Sequence, residues 1–166
     1  YGYSEIYRRN VNTAYDLQKD YIAAIGYNYS TNPKGISPFA KAKGLKSKYA
    51  RPIKDFNINF VPTNFSFRTD VNRRYGELLL RNINNDQFAP PATFDKRFLM
   101  TRQYALTWDI TKSLKFDFDA NNIARIDEPQ GRLDTPGKRD TLWTNFRNLG
   151  RNTDYHHSGT LTYNVP

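Results

Sequence analysis

The chain has 166 residues and a formal net charge of +9, from 25 Lys and Arg against 16 Asp and Glu, and this length suits one domain or part of one. A mean hydropathy of -0.80 argues against a large conventional core, but 12 Tyr and 11 Phe exceed what disordered chains carry. The absence of Cys excludes a disulfide framework and thiol chemistry, and no apolar run approaches the roughly 18 to 20 residues of a membrane-spanning helix.

Apolar residues alternate with polar ones along much of the chain, which is the pattern of strands with one apolar and one polar face. Three polar turns, centred on Lys19, Pro62 and Lys112, interrupt this alternation and predict three hairpins. Pro62 suits a turn because proline cannot donate to a sheet ladder. The seven predicted strands are residues 6–17, 20–30, 53–61, 64–72, 98–110, 113–124 and 155–165.

Tight turns alternate with long connections in this prediction. The long connections are residues 31–52, 73–97 and 125–154. Because consecutive antiparallel strands reverse direction, all tight turns are expected on one side of the sheet and all long connections on the other. Lys19, Thr63 and Lys112 mark the expected side of the tight turns, and Lys46, Gln87 and Pro136 mark the opposite side. Tight turns opposite long loops, with strands of about ten residues, are typical of an outer-membrane β-barrel.

The two faces of the predicted barrel wall differ in chemistry, with one face aromatic and aliphatic and the other rich in carboxylates and amides. We assign the apolar face to lipid and the polar face to the water-filled interior. The predicted lipid-facing residues are Tyr21, Ile25, Tyr27, Phe56, Ile58, Phe60, Phe65, Phe67, Leu106, Trp108, Leu114, Phe116, Phe118, Leu161 and Tyr163. The predicted lumen-facing residues are Asp16, Asp55, Asn57, Asn59, Arg68, Asp70, Asp109, Lys115, Asp117 and Asp119.

A soluble β-sandwich is the alternative fold, because its strands also alternate. Long connections without evident secondary structure and a polar face of carboxylates and amides disfavour it. The connection 31–52 carries six cations and no acid, which indicates an anionic partner such as lipopolysaccharide or an acidic protein surface. An irregular solvated loop explains the same composition. Nucleic acid is disfavoured because no recognition helix or aromatic stacking platform accompanies the charge.

The connection 125–154 contains a predicted short helix over residues 140–150, with Asp140 as its N-cap and Gly150 as its C-cap. Such a helix usually packs on a neighbouring loop, but it also suits a barrel mouth or a docking partner. Leu142, Phe146 and Leu149 would lie along one face of this helix, with Trp143 beside them. We expect Trp143 and Phe146 to hold the helix in place.

Catalysis has little support in the sequence. His156 and His157 are adjacent on a predicted strand and would point to opposite faces, so they cannot chelate one metal ion together. No nucleophile elbow, phosphate-binding loop or zinc spacing is present. We therefore expect no enzyme activity and no cofactor.

Several strings resemble one known family, over most of residues 15–166. They are RPIKDFNINF at 51–60, PTNFSFRTD at 62–70, LRNI at 80–83, ANNIARIDEP at 120–129 and LWTNFRNLGR at 142–151. These strings resemble the SprA/Sov family, the outer-membrane translocon of the Bacteroidetes type 9 secretion system, a gliding motility-associated cell surface protein.

The resemblance implies a very large single-chain barrel that exports folded cargo proteins with a C-terminal signal domain. It also implies a lateral opening covered by a PorV-type partner barrel or by a plug protein, and it supplies no catalytic residues. Seven strands are too few for such a barrel, and an open sheet cannot span a bilayer with its edges unpaired. We therefore expect this chain to be a segment of a larger polypeptide. A segment of a TonB-dependent nutrient receptor and a soluble basic β-domain that binds an acidic partner are the alternatives.

Overall fold

The computed structural model describes residues 1–39, 57–82 and 90–164. These residues form six strands and one helix. The strands are β1 (Gly2–Arg8), β2 (Thr13–Ser30), β3 (Asn64–Leu80), β4 (Thr93–Asp109), β5 (Leu114–Arg125) and β6 (Arg151–Tyr163), and helix α1 (Pro136–Arg147) lies between β5 and β6. All six strands form one antiparallel sheet in sequence order. The predicted antiparallel all-β class is therefore confirmed.

The chain divides into two compact units that share these strands. Unit 1 comprises Tyr1–Ile25, Thr69–Arg102 and Asn122–Tyr155. Unit 2 comprises Gly26–Arg68, Gln103–Asn121 and His156–Pro166. Among the described residues, no helix combines the length and the hydropathy that crossing a membrane requires.

The first predicted hairpin is wrong, because β2 continues through Gln18-Lys19-Asp20 without a turn. Lys19 instead pairs with Glu5 of β1, and their side chains form an ion pair of 3.5 Å. The turn lies earlier, where the Asn10 side-chain oxygen accepts hydrogen bonds from the backbone N–H groups of Asn12 and Thr13, at 2.9 and 2.7 Å. This local Asn bond stabilises a turn at residues 9–12, whereas the polar run at 18–20 keeps the strand alternation intact.

The predicted strand 53–61 is also wrong over the part that the structure describes. Residues 57–61 form no strand, and only Ile58 makes an isolated bridge, with Ile36, through two backbone bonds of 3.0 Å. Residues 53–56 lie outside the described residues. The following strand, β3, begins at Asn64 as predicted but continues to Leu80 instead of ending at residue 72. Strand β4 begins at Thr93, five positions before the predicted residue 98.

The expected separation of tight turns from long connections is wrong as well. Unit 1 contains the tight turn 9–12 together with the longer connections 81–92 and 126–150. Unit 2 contains the tight turn 110–113 together with residues 31–39 and 57–63, the described parts of the chain between β2 and β3. Lys19 is therefore a strand residue of unit 1, while Thr63 and Lys112 belong to unit 2. Lys46 and Gln87 lie outside the described residues.

Helix α1 begins at Pro136, so the predicted N-cap at Asp140 is wrong. Thr135 is the N-cap, and Pro136 favours the first helical turn because its fixed φ suits that position. The helix ends at Arg147, with Asn148 as its C-cap. The Leu149 N–H donates to the Phe146 carbonyl at 3.0 Å, and the Gly150 N–H donates to the Asn145 carbonyl at 3.1 Å. These two bonds are those of a Schellman motif. Gly150 therefore follows the cap instead of forming it.

Unit 1 contains a small apolar core between the sheet and α1. Phe98, Met100 and Ile126 are buried, and Leu142 and Phe146 of α1 pack against them. The Phe98 and Phe146 rings stack with their centroids 5.9 Å apart. Trp143, the other residue predicted to hold the helix, is 59% exposed and meets the Phe146 ring edge-on. Leu149, predicted on the apolar face, is 47% exposed beyond the helix end.

Replacement of Gly150 by Ala tests how the chain passes from α1 into β6. Gly150 has φ +68°, and an added Cβ would lie 2.6 Å from the Arg125 carbonyl oxygen. We expect Gly150→Ala to lower the free energy of unfolding by about 2 kcal/mol or more, since strain and a backbone clash add together. Denaturant unfolding measures this change. Gly137→Ala, in α1 with open space around it, is the matched control and should be neutral or stabilising. Equal effects of the two changes would contradict this account of the junction.

Candidate functional site

One sheet face of unit 2 is aromatic. The Tyr27 and Phe65 rings lie 6.4 Å apart, and the Phe67 and Tyr104 rings lie 5.1 Å apart. These contacts connect β2, β3 and β4 on one face. Tyr27 is 55% exposed and Tyr163 of β6 is 63% exposed. The predicted apolar face thus exists as a geometric feature, and its contact with lipid stays a prediction.

The opposite face of unit 2 is polar. The Thr107 hydroxyl donates to the Asp117 carboxylate at 2.9 Å, and the Lys115 ammonium lies 3.1 Å from the other carboxylate oxygen. Because neighbouring residues of a strand point to opposite faces, Asp117 lies opposite Phe116 and Phe118. A cleft of about 660 Å³ opens on this face. Its polar lining includes Asn28, Arg68, Gln103, Asp119, Asn121 and His156.

Asn57 and Asn59, predicted to line the lumen from a strand, instead stabilise the turn between β4 and β5. The Asn57 side-chain oxygen accepts a hydrogen bond from the Lys112 N–H at 3.0 Å. The Asn59 side-chain amide donates to the Asp109 carbonyl at 2.7 Å, and the Trp108 indole N–H donates to the Asn59 carbonyl at 2.8 Å. Both asparagines are buried. Their burial corrects the prediction, because they serve the backbone of a turn and not a water-filled face.

Three further sets of predicted site residues have the following places. Asp16 lines a polar cleft of unit 1 that also contains Arg74 and Asp95. Asp109 accepts a hydrogen bond from the Thr63 hydroxyl at 2.7 Å, beside the turn. Phe60 is 67% exposed in the connection before β3, and Asp55 and Phe56 lie outside the described residues.

In unit 1 the segment after β5 is held on the sheet by hydrogen bonds and ion pairs. We call this segment, residues 126–135, the strap. Its first anchor is Glu128, whose two carboxylate oxygens accept hydrogen bonds from the Arg73 guanidinium at 2.6 and 2.7 Å. The Glu128 side chain is 2% exposed and that of Arg73 is 17% exposed. A bidentate pair with this burial fixes both distance and orientation.

The second anchor is Lys96 of β4. Its ammonium donates to the Pro129 carbonyl at 2.7 Å and to the Gly131 carbonyl. The same ammonium lies 5.5 Å from the centroid of the Tyr75 ring, which is within cation–π range. Gly131 has φ +71°, so glycine permits the bend that presents both carbonyls to one cation.

The third anchor is Glu77 of β3, whose side chain is only 3% exposed. It accepts hydrogen bonds from the Tyr15 hydroxyl at 2.6 Å, the Tyr75 hydroxyl at 2.8 Å and the Arg132 guanidinium at 2.6 Å. The hydrogen bond to the Glu77 carboxylate raises the pKa of Arg132 further above its usual value. Arg132 therefore stays charged, and the buried carboxylate stays paired.

The strap continues into α1 through an exposed contact. The Lys138 ammonium lies 3.0 Å from the Asp134 carboxylate and donates to the Arg132 carbonyl at 3.0 Å. The hydrogen bond from Lys138 holds the pKa of Asp134 below its usual value. This contact joins the third anchor to the first turn of the helix.

The anchors on the sheet were not predicted, because residues 73–97 were assigned to a connection, whereas β3 continues to Leu80 and β4 begins at Thr93. Val71, Tyr75 and Leu79 keep the apolar positions of the strand beyond residue 72, but the charged Arg73 and Glu77 lie between them on the same face and weaken this signal. The pairing of Arg73 with Glu128 joins positions 55 residues apart, which no local pattern predicts. Glu128 lies within one of the strings that carry the family resemblance, although that resemblance assigns it no role.

The ion pairs and hydrogen bonds described above hold the strap on the sheet, and the clefts offer room for a ligand. Across the described parts of the chain, no three His, Cys, Asp or Glu side chains are grouped so that they could hold a metal ion. In comparisons with known proteins, no family model matches the chain and no curated protein matches it significantly. Membership of the SprA/Sov family therefore stays a prediction from the residues quoted above.

The buried pair Arg73–Glu128 can be tested against an exposed pair on the neighbouring residue. Removal of one partner, in Arg73→Met or Glu128→Leu, should lower the free energy of unfolding by about 3 to 5 kcal/mol, because a buried charge loses its partner. The double variant should recover much of this loss. Denaturant unfolding of the four proteins in the cycle gives the coupling energy.

The matched control is Arg74, whose guanidinium lies 2.8 Å from Asp20 with half of its side chain exposed. Arg74→Met should change stability by only about 0 to 1 kcal/mol. Hydrogen exchange should accelerate in residues 126–135 of the Arg73 variant but not of the Arg74 variant. A strap that stays equally protected in both variants would show that the ion pair does not hold it.

Proposed function

We propose that this chain is part of the wall of an outer-membrane β-barrel that conducts folded proteins, as in the translocon of the type 9 secretion system. The observation that carries the proposal is the division of the unit 2 sheet into an aromatic face and a charged face. An outer-membrane barrel needs this division, because its outer surface meets hydrocarbon and its inner surface meets water. Tyr27 and Tyr163 then contact lipid, while Asp117 and Asp119 line the conduit.

Strand length supports the same proposal. Strand β2 has 18 residues and β3 and β4 have 17 each. At about 3.4 Å per residue, an 18-residue strand extends about 60 Å, well beyond the apolar band of about 25 Å on a barrel. Only part of each strand is therefore needed to cross the membrane. The charged anchors of the strap are costly in hydrocarbon, so we place the lipid band on unit 2.

The exposed edge strands of the sheet indicate that this chain supplies only part of the proposed barrel. Strands β1 and β6 are the edge strands, and every residue of each is exposed. A sheet in hydrocarbon cannot leave edge N–H and C=O groups unsatisfied. We propose that further strands of the same barrel pair with β1 and β6. A soluble basic β-domain explains the exposed aromatic face less well, because large exposed apolar patches mark interaction surfaces.

The partners follow from this proposal and from the family resemblance. The wall has no reaction of its own and acts by shape, charge and lipid contact. Its partners are the rest of its barrel, outer-membrane lipid with lipopolysaccharide, cargo proteins with a C-terminal signal domain, and a PorV-type barrel or a plug protein at a lateral opening. The proposed location is the outer membrane of a Gram-negative bacterium of the Bacteroidetes.

Two substitutions in adjacent residues test which face of β5 contacts lipid. Phe118→Arg should reduce the amount of folded barrel in the membrane, because Arg on the lipid face costs about 2 to 4 kcal/mol near the bilayer midplane. Asp117→Asn keeps the side-chain shape on the opposite face and should leave assembly nearly unchanged. Heat-modifiable migration of the full-length protein in outer-membrane fractions measures assembly. Two equally harmless substitutions would mean that the alternation does not reflect a lipid face.

Conduction of cargo is tested by photo-crosslinking in the full-length protein. A photoreactive residue in place of Asp117 should crosslink to a cargo protein that is stalled during export. The same residue in place of Phe116 should crosslink to lipid and not to cargo, and it is the matched control from the opposite face. The proposal fails if both positions crosslink to cargo equally or if the Asp117 position never does.

A further inference from the structure

A cleft of about 560 Å³ opens in unit 1 beside the strap. Strands β1 to β3 form its floor and residues 132–134 form one wall. The volume lies in the range of roughly 300 to 1,000 Å³ that is typical of small-molecule sites. Four tyrosines line the cleft, namely Tyr7, Tyr15, Tyr21 and Tyr75. The cleft is distinct from the aromatic face of unit 2 that we assign to lipid.

The tyrosines of the cleft have partly exposed rings, and guanidinium groups lie beside two of them. Tyr7 is 52% exposed, and Tyr15 and Tyr21 are partly exposed. The Arg132 guanidinium lies 5.7 Å from the Tyr15 ring centroid, and the Arg73 guanidinium lies 5.4 Å from that of Tyr21. These cations lie over the faces of the rings, as the Arg9 guanidinium also does at Tyr7, 5.3 Å from the ring centroid. A ligand can therefore stack only on the ring surface that the cations leave exposed, of which Tyr7 has the most.

The charged side chains that line the cleft are paired with opposite charges, which disfavours a charged ligand. Each charged side chain that lines the cleft has a partner of opposite sign within hydrogen-bond or ion-pair distance. The four pairs are Lys19–Glu5, Arg73–Glu128, Arg132–Glu77 and Lys138–Asp134. A strongly charged ligand would have to compete with these pairs. A wholly apolar ligand would bury polar groups without hydrogen bonds, which is costly.

We propose that this cleft binds a neutral oligosaccharide. A pyranose ring has an apolar C–H face that stacks on tyrosine and a rim of hydroxyl groups that both donate and accept hydrogen bonds. The rim suits the cleft, where Lys19 and Arg132 donate and the exposed carboxylate of Asp134 accepts. Proline-rich peptides also bind aromatic grooves, but their backbone lacks N–H donors for such a carboxylate. The proposal does not depend on the channel function.

Isothermal titration of the detergent-solubilised full-length protein with cellohexaose tests the proposal. We expect saturable binding, and we expect Tyr7→Ala to raise the dissociation constant about tenfold, equivalent to 1.4 kcal/mol. Tyr7→Phe keeps the ring and should bind nearly as the unchanged protein does. Tyr163→Ala, which removes a tyrosine of similar exposure in unit 2, is the matched control and should leave binding unchanged. Circular dichroism verifies that each variant keeps its sheet.

Three outcomes would overturn the proposal. The first is that the unchanged protein shows no saturable binding of cellohexaose or of maltohexaose. The second is that Tyr7→Ala and Tyr163→Ala weaken binding equally, because the sugar would then contact exposed tyrosines without a site. The third is that a proline decamer binds in a manner that depends on Tyr7 while neither sugar does, which would assign the cleft to a peptide.

Discussion

The carboxylate of Glu128 is the constraint on which the arrangement of unit 1 depends. A carboxylate that is 2% exposed is stable only if a cation and hydrogen bonds replace its water. Arg73 supplies both in one bidentate contact, and to do so it must project from β3 at one fixed position. The strap is thereby held in register with β3. Lys96 then donates to the Pro129 and Gly131 carbonyls, and Arg132 lies opposite Glu77.

The continuity of the strands explains why two different surfaces share one sheet. Each of β2, β3 and β4 contributes residues to both units, and the alternation of faces continues along the strand. In unit 2 the aromatic residues of one face remain exposed, as at Tyr27. In unit 1 the tyrosines of β2 instead meet cations, Arg132 of the strap at Tyr15 and Arg73 of β3 at Tyr21. The same residue type therefore serves stacking and cation–π contacts in one unit and the proposed lipid contact in the other.

Much of the sheet was predictable because alternation is a local property of a strand. It correctly indicated the antiparallel class and the hairpin between β4 and β5. It failed at Lys19, because a polar strand residue that pairs across to Glu5 looks like a turn residue in the sequence. The prediction from alternation was also wrong for Asn57 and Asn59. These two asparagines alternate with apolar residues in the sequence, as one face of a strand would, but in the structure they hydrogen-bond to the turn between β4 and β5. The strap was not predictable, since its anchors join positions far apart in the chain.

The asparagine contacts at the turn 110–113 have a consequence for the order of folding. The hairpin of β4 and β5 closes a four-residue turn, and hairpins of this kind form in about 1 to 10 μs. The Lys112 amide, however, is satisfied by Asn57, which precedes it by 55 residues. Closure of a chain loop of that length is entropically more costly and is completed later. The hairpin is therefore expected to form first with a solvated turn, and the arrival of the 57–63 segment then displaces water and completes it.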